Sequence, residues 1–510
     1  MEINIYDGIN TTVYFSERTK LRIAITNIDG PFIRAAYIFG TETNEDDGLP
    51  HCLEHLIYNG STEHRYKGFL DTCATQCLSH SLNAITHQAF TEYQMESACK
   101  SGFLRLLPLY MDNLFSPALK ASEFVTEVHH INDKGTNNGV IYAEMAGKLS
   151  SMESIMELNL KKLLYPNGSP YESITGGLLE NLRNNCSIQK INNFHQKFYN
   201  FDNMLIVING IIDHVTILKI MIEVETKHLP KITKNYVQPF INEVKKYKVS
   251  KNVSEVTFPA DDSRFGTVYI SWLVYKYNDQ CFNIMIQILF DYLLNYLYED
   301  LVDEKYCSGI DMEFREQTNS QILLIFKNVP SLQKESLVGY YSSIRQADTD
   351  KLYLIKDRLF QTLKYFDRPE KFDMERINSI IENHKRKFRE LMEEDPHEFI
   401  KMALTMHHLY GSRTFSEQKQ QIEDRLQNIR ILNSLKNFDA SKWHQLFNET
   451  FNQDYVCIQG RPVEKKVDEV NTMEIKRINQ QRLRLGEHGL RERGQILQAA
   501  IAENNVSILS

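Results

Sequence analysis

The sequence lacks the features that mark secreted, membrane-spanning and nucleic-acid-binding proteins. Its eight cysteines include no Cys-x-x-Cys pair, which favours free thiols in a reducing compartment. The first residues, MEINIYDGIN, show no basic and apolar leader, and the longest apolar runs are far too short to span a bilayer. A net charge of -8 leaves no excess of basic residues. We therefore expect a cytoplasmic protein with no membrane and no nucleic acid among its partners.

The chain is long enough for several domains, and its elements follow an α+β order. Residues 21–40 predict two strands joined by a turn, 82–96 a strand or hairpin, and 141–164 one long helix. An apolar strand at 203–212 closes this first unit near residue 235. Polar residues 236–260, with little periodicity, are interpreted as a linker.

A second cycle of strands and helices follows the predicted linker. Strands are expected at 266–274 and 308–328, helices at 281–298 and from 332 to 450, and a closing strand at 455–459. From Glu474 the chain is charged and helix-favouring, and Gly486 and Gly489 interrupt it. This tail predicts two helices with a bend between them.

The segment His51-Cys52-Leu53-Glu54-His55 carries the strongest chemical signal. Gly48 permits a turn and Pro50 suits a first helical position, so a helix is expected to begin near Pro50. Residues four apart lie on one helical face, which lets His51 and His55 reach one metal ion. Glu54 lies at the edge of that face, where a carboxylate can take a proton from water. The pattern is typical of a zinc-dependent peptidase.

A catalytic zinc site needs a third protein ligand, and spacing alone does not identify it. Glu144 is our choice because it lies near the start of a helix after an extended approach. Glu127, Glu153 and Glu157 remain alternatives on the residues alone.

Other residues with metal-binding or reactive side chains are better explained by structure. His129 and His130 are adjacent and point to different faces, which favours solvated or capping roles. Cys73 and Cys77 are expected to pack in an apolar environment. Cys52 is not expected to act as a catalytic thiol.

Four segments together resemble the pitrilysin group of zinc peptidases, the M16 family, in its long-chain branch related to the presequence protease. They are GLPHCLEHLIYNGS, NAITHQAFTEYQMES, SEFVTEVHHINDKGTNNGVIYAEM and RLRLGEHGLRERG. The resemblance is specific over residues 20–235 and weaker over 236–465.

The resemblance implies one Zn²⁺ per chain, with His51, His55 and Glu144 as ligands and Glu54 as general base. It also implies that Asn83 and Ala84 belong to an edge strand to which a substrate peptide adds as a further strand. The implied fold is α+β: two homologous M16-type α/β sandwich domains of mostly antiparallel strands, followed by a helical hairpin. The predicted domains are 1–235 (zinc-binding), 236–465 (M16-like) and 466–510 (linker or hairpin).

Two differences from the family pattern lower the peptidase activity that we expect of this chain. Asn137 and Asn138 stand where family members often carry a carboxylate that supports the metal site. Family chains of this branch are also about twice as long, and their second half supplies an Arg and a Tyr that contact substrate. We expect a zinc-dependent endopeptidase that is weak alone and pairs with a complementary C-terminal half or with itself. The alternative is a non-catalytic or truncated subunit for peptide binding or assembly.

Overall fold

Two β-sheets with packed α-helices form the body of the chain, and a long helix follows them. The computed structural model describes residues 1–232, 238–240, 247, 249, 252–274, 278–331 and 350–505. Predictions for the linker residues 233–237, 241–246, 248 and 250–251, for 332–349 and for 506–510 lie outside the described residues. Within the described part, none of the helices has the length and apolar content that a bilayer crossing requires.

The first sheet has seven strands and lies beside a separate two-stranded ribbon. The strands up to residue 209 are β1 (Glu2–Tyr6), β2 (Ile9–Phe15), β3 (Arg22–Thr26), β4 (Ile33–Gly40), β5 (Ser79–Thr86), β6 (Phe90–Ser97), β7 (His130–Ile131), β8 (Asn137–Asn138) and β9 (Met204–Asn209). The sheet order is β1-β2-β3-β9-β4-β6-β5, and β7 pairs only with β8.

The two strands predicted over residues 21–40 form as β3 and β4, connected by residues 27–32. They do not pair with each other, because β9 lies between them, parallel to β3 and antiparallel to β4. All six β9 residues are buried, because an apolar strand of this kind is stable only where neighbours cover both of its faces. A central position satisfies that requirement.

Nine helices belong to the first unit, and all but the sixth enclose an apolar core with the first sheet. They are α1 (Leu49–Ile57), α2 (Phe69–Gln76), α3 (Lys100–Phe115), α4 (Ala121–Glu127), α5 (Val140–Leu149), α6 (Met152–Leu164), α7 (Leu179–Asn184), α8 (Ile188–Phe198) and α9 (His214–His228). The single helix predicted over 141–164 was wrong, because the chain breaks at residues 150–151. Ser151 starts α6 anew by accepting a hydrogen bond from the Ser154 amide at 3.2 Å.

The second sheet repeats the strand order of the first. Its strands are β10 (Asn252–Pro259), β11 (Phe265–Val274), β12 (Gly309–Arg315), β13 (Ser320–Pro330) and β14 (Tyr455–Val463). The order β10-β14-β11-β13-β12 matches β3-β9-β4-β6-β5. β14 runs parallel to β10, as β9 runs parallel to β3. The prediction that 236–260 is only a linker was wrong for 252–259, which form β10.

Most of the following helices cover the second sheet, although one of them packs against the first sheet, and a last helix returns to the first unit. They are α10 (Gln280–Leu297), α11 (Leu354–Leu363), α12 (Met374–Glu394), α13 (Pro396–Tyr410), α14 (Phe415–Leu426), α15 (Asn428–Leu435), α16 (Ala440–Phe451) and α17 (Lys465–Asn504). The predicted bend in the tail is present at Gly486, whose φ is 61° and ψ 179°. The helix begins at Lys465, earlier than the predicted Glu474.

A shared core joins the two units and packs α6 against the second sheet. Buried side chains from both sheets meet there, including Ile38 and Leu323. The ammonium of Lys401 on α13 donates to the fully buried carboxylate of Glu92 on β6 at 2.8 Å. Removal of Lys401 would leave the buried charge of Glu92 without this counterion, whereas Lys401 also pairs with Glu398 at 2.8 Å.

Candidate metal centre

The two histidines of the motif lie one turn apart on α1, with one ring edge-on to the face of the other. The ring centroids are 4.8 Å apart and the rings stand at 87° to one another. Burial and the charge of His55 lower the pKa of His51 to about 4, so His51 is neutral at physiological pH. A neutral imidazole is the form that binds a metal ion.

Glu144 on α5 comes from the opposite side and meets both histidines. Its carboxylate oxygens lie 3.6 Å from His51 Nε2 and 3.7 Å from His55 Nε2. One ligand atom from each of the three residues lies within 4.8 Å of the others. Two imidazole nitrogens and one carboxylate oxygen form a donor set that zinc accepts at catalytic sites, so the residues fit this ion.

The other glutamates considered as third ligands are directed elsewhere. Glu127 pairs with Lys67 at 2.5 Å, and Glu157 pairs with Arg315 at 2.6 Å. Glu153 lines a separate cleft between α6 and the second sheet. Within the part of the chain that the structure describes, Glu144 is the one carboxylate that joins both histidines.

Lys148, one turn after Glu144 on α5, contacts the same carboxylate. Its ammonium lies 2.5 Å from Glu144 Oε1. Although burial raises the pKa of Glu144, the hydrogen bond from Lys148 and the charge of His51 lower it overall. The carboxylate is therefore held in its charged form, as a metal ligand requires.

Glu54 projects from the same end of α1 into a cavity of about 390 Å³ that it shares with His51, His55 and Glu144. Its carboxylate accepts a hydrogen bond from Thr86 Oγ1 at 2.5 Å. Burial raises the pKa of Glu54, while the Thr86 hydrogen bond and the charge of His55 oppose the rise. A raised pKa makes a carboxylate a stronger base, which suits a group that accepts a proton and later returns it.

The predicted peptide-binding strand forms one wall of this cavity. β5 is the edge strand of the first sheet, and it pairs on one side only, with β6. Ala84, Ile85 and Thr86 line the cavity, and the Asn83 carbonyl accepts a hydrogen bond from Tyr58 Oη at 2.8 Å. The edge strand and the candidate ligands thus face one space.

A glycine-containing loop at 174–177 supports the start of α1 and was not foreseen. The Asp46 carboxylate accepts a hydrogen bond from the Ile174 amide at 2.8 Å and positions the loop. At Gly48, where φ is 71°, an added Cβ would lie 2.7 Å from the Gly176 carbonyl oxygen. Gly48 is therefore required both for its backbone conformation and for the close approach of this loop. The pair Gly176-Gly177 was the sequence signal that could have indicated the contact.

Three further neighbours of the site show which signals a single sequence contains. Lys148 follows Glu144 at helical spacing, so its contact could have been predicted. Thr86 is far from Glu54 in the sequence, and only the tertiary fold brings the two together.

Cys186 Sγ lies 3.9 Å from the buried Cys52 Sγ, and both thiols are free. Cys73 and Cys77 pack against the core as predicted.

Comparison with known proteins relates the chain to M16 peptidases. The model of the peptidase M16 inactive domain matches residues 185–383. Pitrilysin has the same fold, with a TM-score of 0.60 at 14% identity, covering 90% of this chain and 46% of pitrilysin. A protease from Helicobacter pylori gives a TM-score of 0.64 at 16% identity, covering 89% and 99% of the two chains.

The chain is similar to M16 peptidases in this matched domain and in its fold. An uncharacterized protein of Caenorhabditis elegans is 35% identical over 98% of this chain and 49% of its own length. The mitochondrial presequence protease of Xenopus tropicalis is 27% identical over 32% of this chain and 17% of its own. The chain therefore spans about half the length of the C. elegans relative that it matches. The matched domain begins after Glu144, so it does not include the candidate metal centre.

Proposed function

We propose that this chain is a zinc-dependent endopeptidase whose metal is held by His51, His55 and Glu144, one ion per chain. The observation that carries the proposal is the meeting of these three side chains with Glu54 in one cavity beside an edge strand. Zinc bound by three protein ligands supplies a Lewis acid that polarises a peptide carbonyl and acidifies water.

The chain's own residues account for the proton transfers in this proposal. The Glu54 carboxylate takes a proton from the attacking water and later gives it to the leaving amine nitrogen. The hydrogen bond from Thr86 leaves one carboxylate oxygen of Glu54 free for this exchange while it holds the orientation of the group. The peptide chain lies along β5 near Asn83 and Ala84, and main-chain hydrogen bonds hold it there with little selection of side chains.

A complementary C-terminal half, or a second copy of the chain, is the proposed partner. M16 peptidases often pair two halves around the substrate. Exposed apolar side chains on α17, including Met473 (69% exposed), Ile475 and Leu483 (84% exposed), provide a surface for such pairing. The free thiols support a cytoplasmic location within the same proposal.

Metal analysis combined with peptide cleavage tests the proposed function. The purified chain is expected to hold one zinc ion, which Glu144→Gln and the double variant His51→Ala, His55→Ala should lose. The matched control is Glu153→Gln, which should keep the metal because Glu153 lies in a different cleft. Glu54→Gln should also keep zinc while cleavage falls by about 10² to 10⁴-fold. Full zinc content in the double histidine variant would disprove the assigned centre.

A non-catalytic, peptide-binding subunit is the second candidate function. The family match to an inactive domain over 185–383 favours it. A zinc-loaded chain that binds peptides along β5 but cleaves none in a mixed peptide library, alone or with a second half, would establish this role instead.

A further inference from the structure

A cavity of about 680 Å³ lies between α17 and the first unit, away from the candidate metal centre. Its walls come from α4, the β7–β8 ribbon, α7 and both arms of the bent α17. Hydrogen bonds fix α17 in place: Gln481 donates to the Gly135 carbonyl at 3.0 Å, and Asn504 donates to the Ser122 carbonyl at 3.1 Å. The cavity is thus built from elements that are tied together on both sides of it.

Positive charge concentrates in this cavity and is offset in part by Glu474, which pairs with Arg477 from outside the lining. Four arginines line the cavity, Arg183 on α7 and Arg477, Arg484 and Arg493 on α17, and none of the lining residues carries a carboxyl group. The side chains of Arg484 and Arg493 form no hydrogen bond or ion pair with any residue of the described ranges. Arg484 and Arg493 are exposed to solvent, and the combined charge of the guanidinium groups around one space attracts an anion.

Fixed partners hold two of the four arginines in position. Arg183 Nη1 donates to Tyr142 Oη at 2.7 Å. Arg477 pairs with Glu474, outside the cavity lining, and also lies 2.6 Å from the side-chain amide of Asn137, which in its best-satisfied orientation turns its oxygen to Arg477 and its nitrogen to His129. The guanidinium groups are therefore oriented before any ligand arrives, which lowers the entropy lost on binding.

Two histidines complete the polar wall and add hydrogen-bonding groups rather than charge. Burial lowers the pKa of His129, and the charges of Arg183 and Arg477 lower it further. Burial also lowers the pKa of His130, whose Nδ1 contacts the Val125 carbonyl oxygen at 2.7 Å. The positive charge of the cavity thus comes from arginine, which stays protonated at any physiological pH.

Guanidinium groups match the geometry of phosphate oxygens, with two parallel hydrogen bonds for each pair. Four of them around one cavity suit an anion with several linked phosphates better than a single phosphate. We propose that this cavity binds a polyphosphate group, either inorganic polyphosphate or the triphosphate of a nucleotide. The bound anion bridges α17 to α7 and so stabilises the contact of the bent helix with the metal-binding unit.

Calorimetric titration of the full chain with inorganic tripolyphosphate tests this site. The double variant Arg484→Gln, Arg493→Gln is expected to weaken binding about tenfold or more, since each charge-assisted hydrogen bond contributes on that scale. The control is Lys476→Gln, Arg491→Gln, which removes the same charge from exposed positions of α17 outside the cavity and should change affinity less than about twofold. Circular dichroism establishes that both variants keep the wild-type helix content.

The choice of anion separates the possible occupants. Orthophosphate should bind more weakly than tripolyphosphate, and adenosine triphosphate should bind more tightly only if the base also contacts the cavity wall. Equal losses in the two double variants would show general attraction to a basic helix and overturn the site. Absence of tripolyphosphate binding at about 1 mM would also overturn it. Tighter binding of an oligoglutamate peptide than of tripolyphosphate would show that the cavity binds an acidic protein segment instead of a polyphosphate.

Discussion

The hydroxyl of Thr86 donates a 2.5 Å hydrogen bond to the carboxylate of Glu54. This bond joins the end of the edge strand β5 to the helix α1 that carries both histidines. The proposed base and the proposed peptide-binding strand are therefore linked by one direct contact. A shift of the strand on peptide binding would reorient the carboxylate.

Thr86→Val removes this hydrogen bond while it keeps the side-chain shape and the strand propensity. We expect turnover to fall by about tenfold or more, because an unoriented base transfers protons less efficiently, with unchanged zinc content. The control is Thr72→Val, which removes a hydroxyl that bonds the Gly68 carbonyl on α2, outside the site. Wild-type turnover in Thr86→Val would show that the bond does not position Glu54.

Peptide recognition by β5 predicts a strict alternation in the effect of N-methylation. In an added strand, every second N–H group faces the neighbouring strand, and the others face solvent. Methylating the N–H groups that face β5 should abolish detectable binding of the peptide to the inactive Glu54→Gln variant. Methylating the N–H groups that face solvent should change the affinity little. Binding measured by fluorescence anisotropy checks this, and the two peptides serve as controls for each other. Equal affinities for both peptides would exclude strand addition.

Pairing through α17 predicts that charge on its exposed face disrupts assembly. Leu483→Glu should weaken association with a C-terminal half of an M16 relative, or with a second copy, because it places a carboxylate in an apolar contact. The control is Val215→Glu, at a side chain that is 56% exposed on α9. Light scattering combined with cleavage assays measures both effects. Full peptidase activity in a monomeric wild-type chain would contradict the pairing.

Stability should fall as the solution becomes acidic, and His195 contributes to the fall. Burial lowers the pKa of His195 to about 4, and the side chain lies 2.8 Å from the Leu114 carbonyl oxygen. Between about pH 6.5 and pH 4, this histidine binds a proton in the unfolded chain, where its pKa is near 6.5, but not in the folded chain. The contribution of His195 is thus fully present above about pH 6.5 and is lost as the pH falls towards 4.

His195→Gln should therefore reduce the drop in thermal midpoint between pH 7 and pH 5, as scanning calorimetry measures it. The matched control is His488→Gln, at an exposed position on α17, which should leave the drop unchanged. An identical pH dependence in wild type and His195→Gln would show that this histidine titrates normally in the folded chain.

Local patterns in the sequence determined much of the first unit. The start of α1 followed from Gly48 and Pro50, because a left-handed turn and a fixed φ act within a few residues. The common face of His51 and His55 followed from helical spacing alone. The paired strands β5 and β6 and the bend at Gly486 were predictable for the same reason, since short-range backbone preferences decide them.

Only the tertiary structure decided which distant groups meet. Glu144 joins the histidines while Glu153 and Glu157 do not, because the break at 150–151 turns α6 away from α5 towards the second sheet. The insertion of β9 between β3 and β4 depends on burial from both sides, which no local pattern records. Likewise, Thr86 reaches Glu54 through sheet packing. Four arginines separated by up to 310 positions share a cavity because α17 folds back onto α4, a contact that the chain's helical periodicity leaves undetermined.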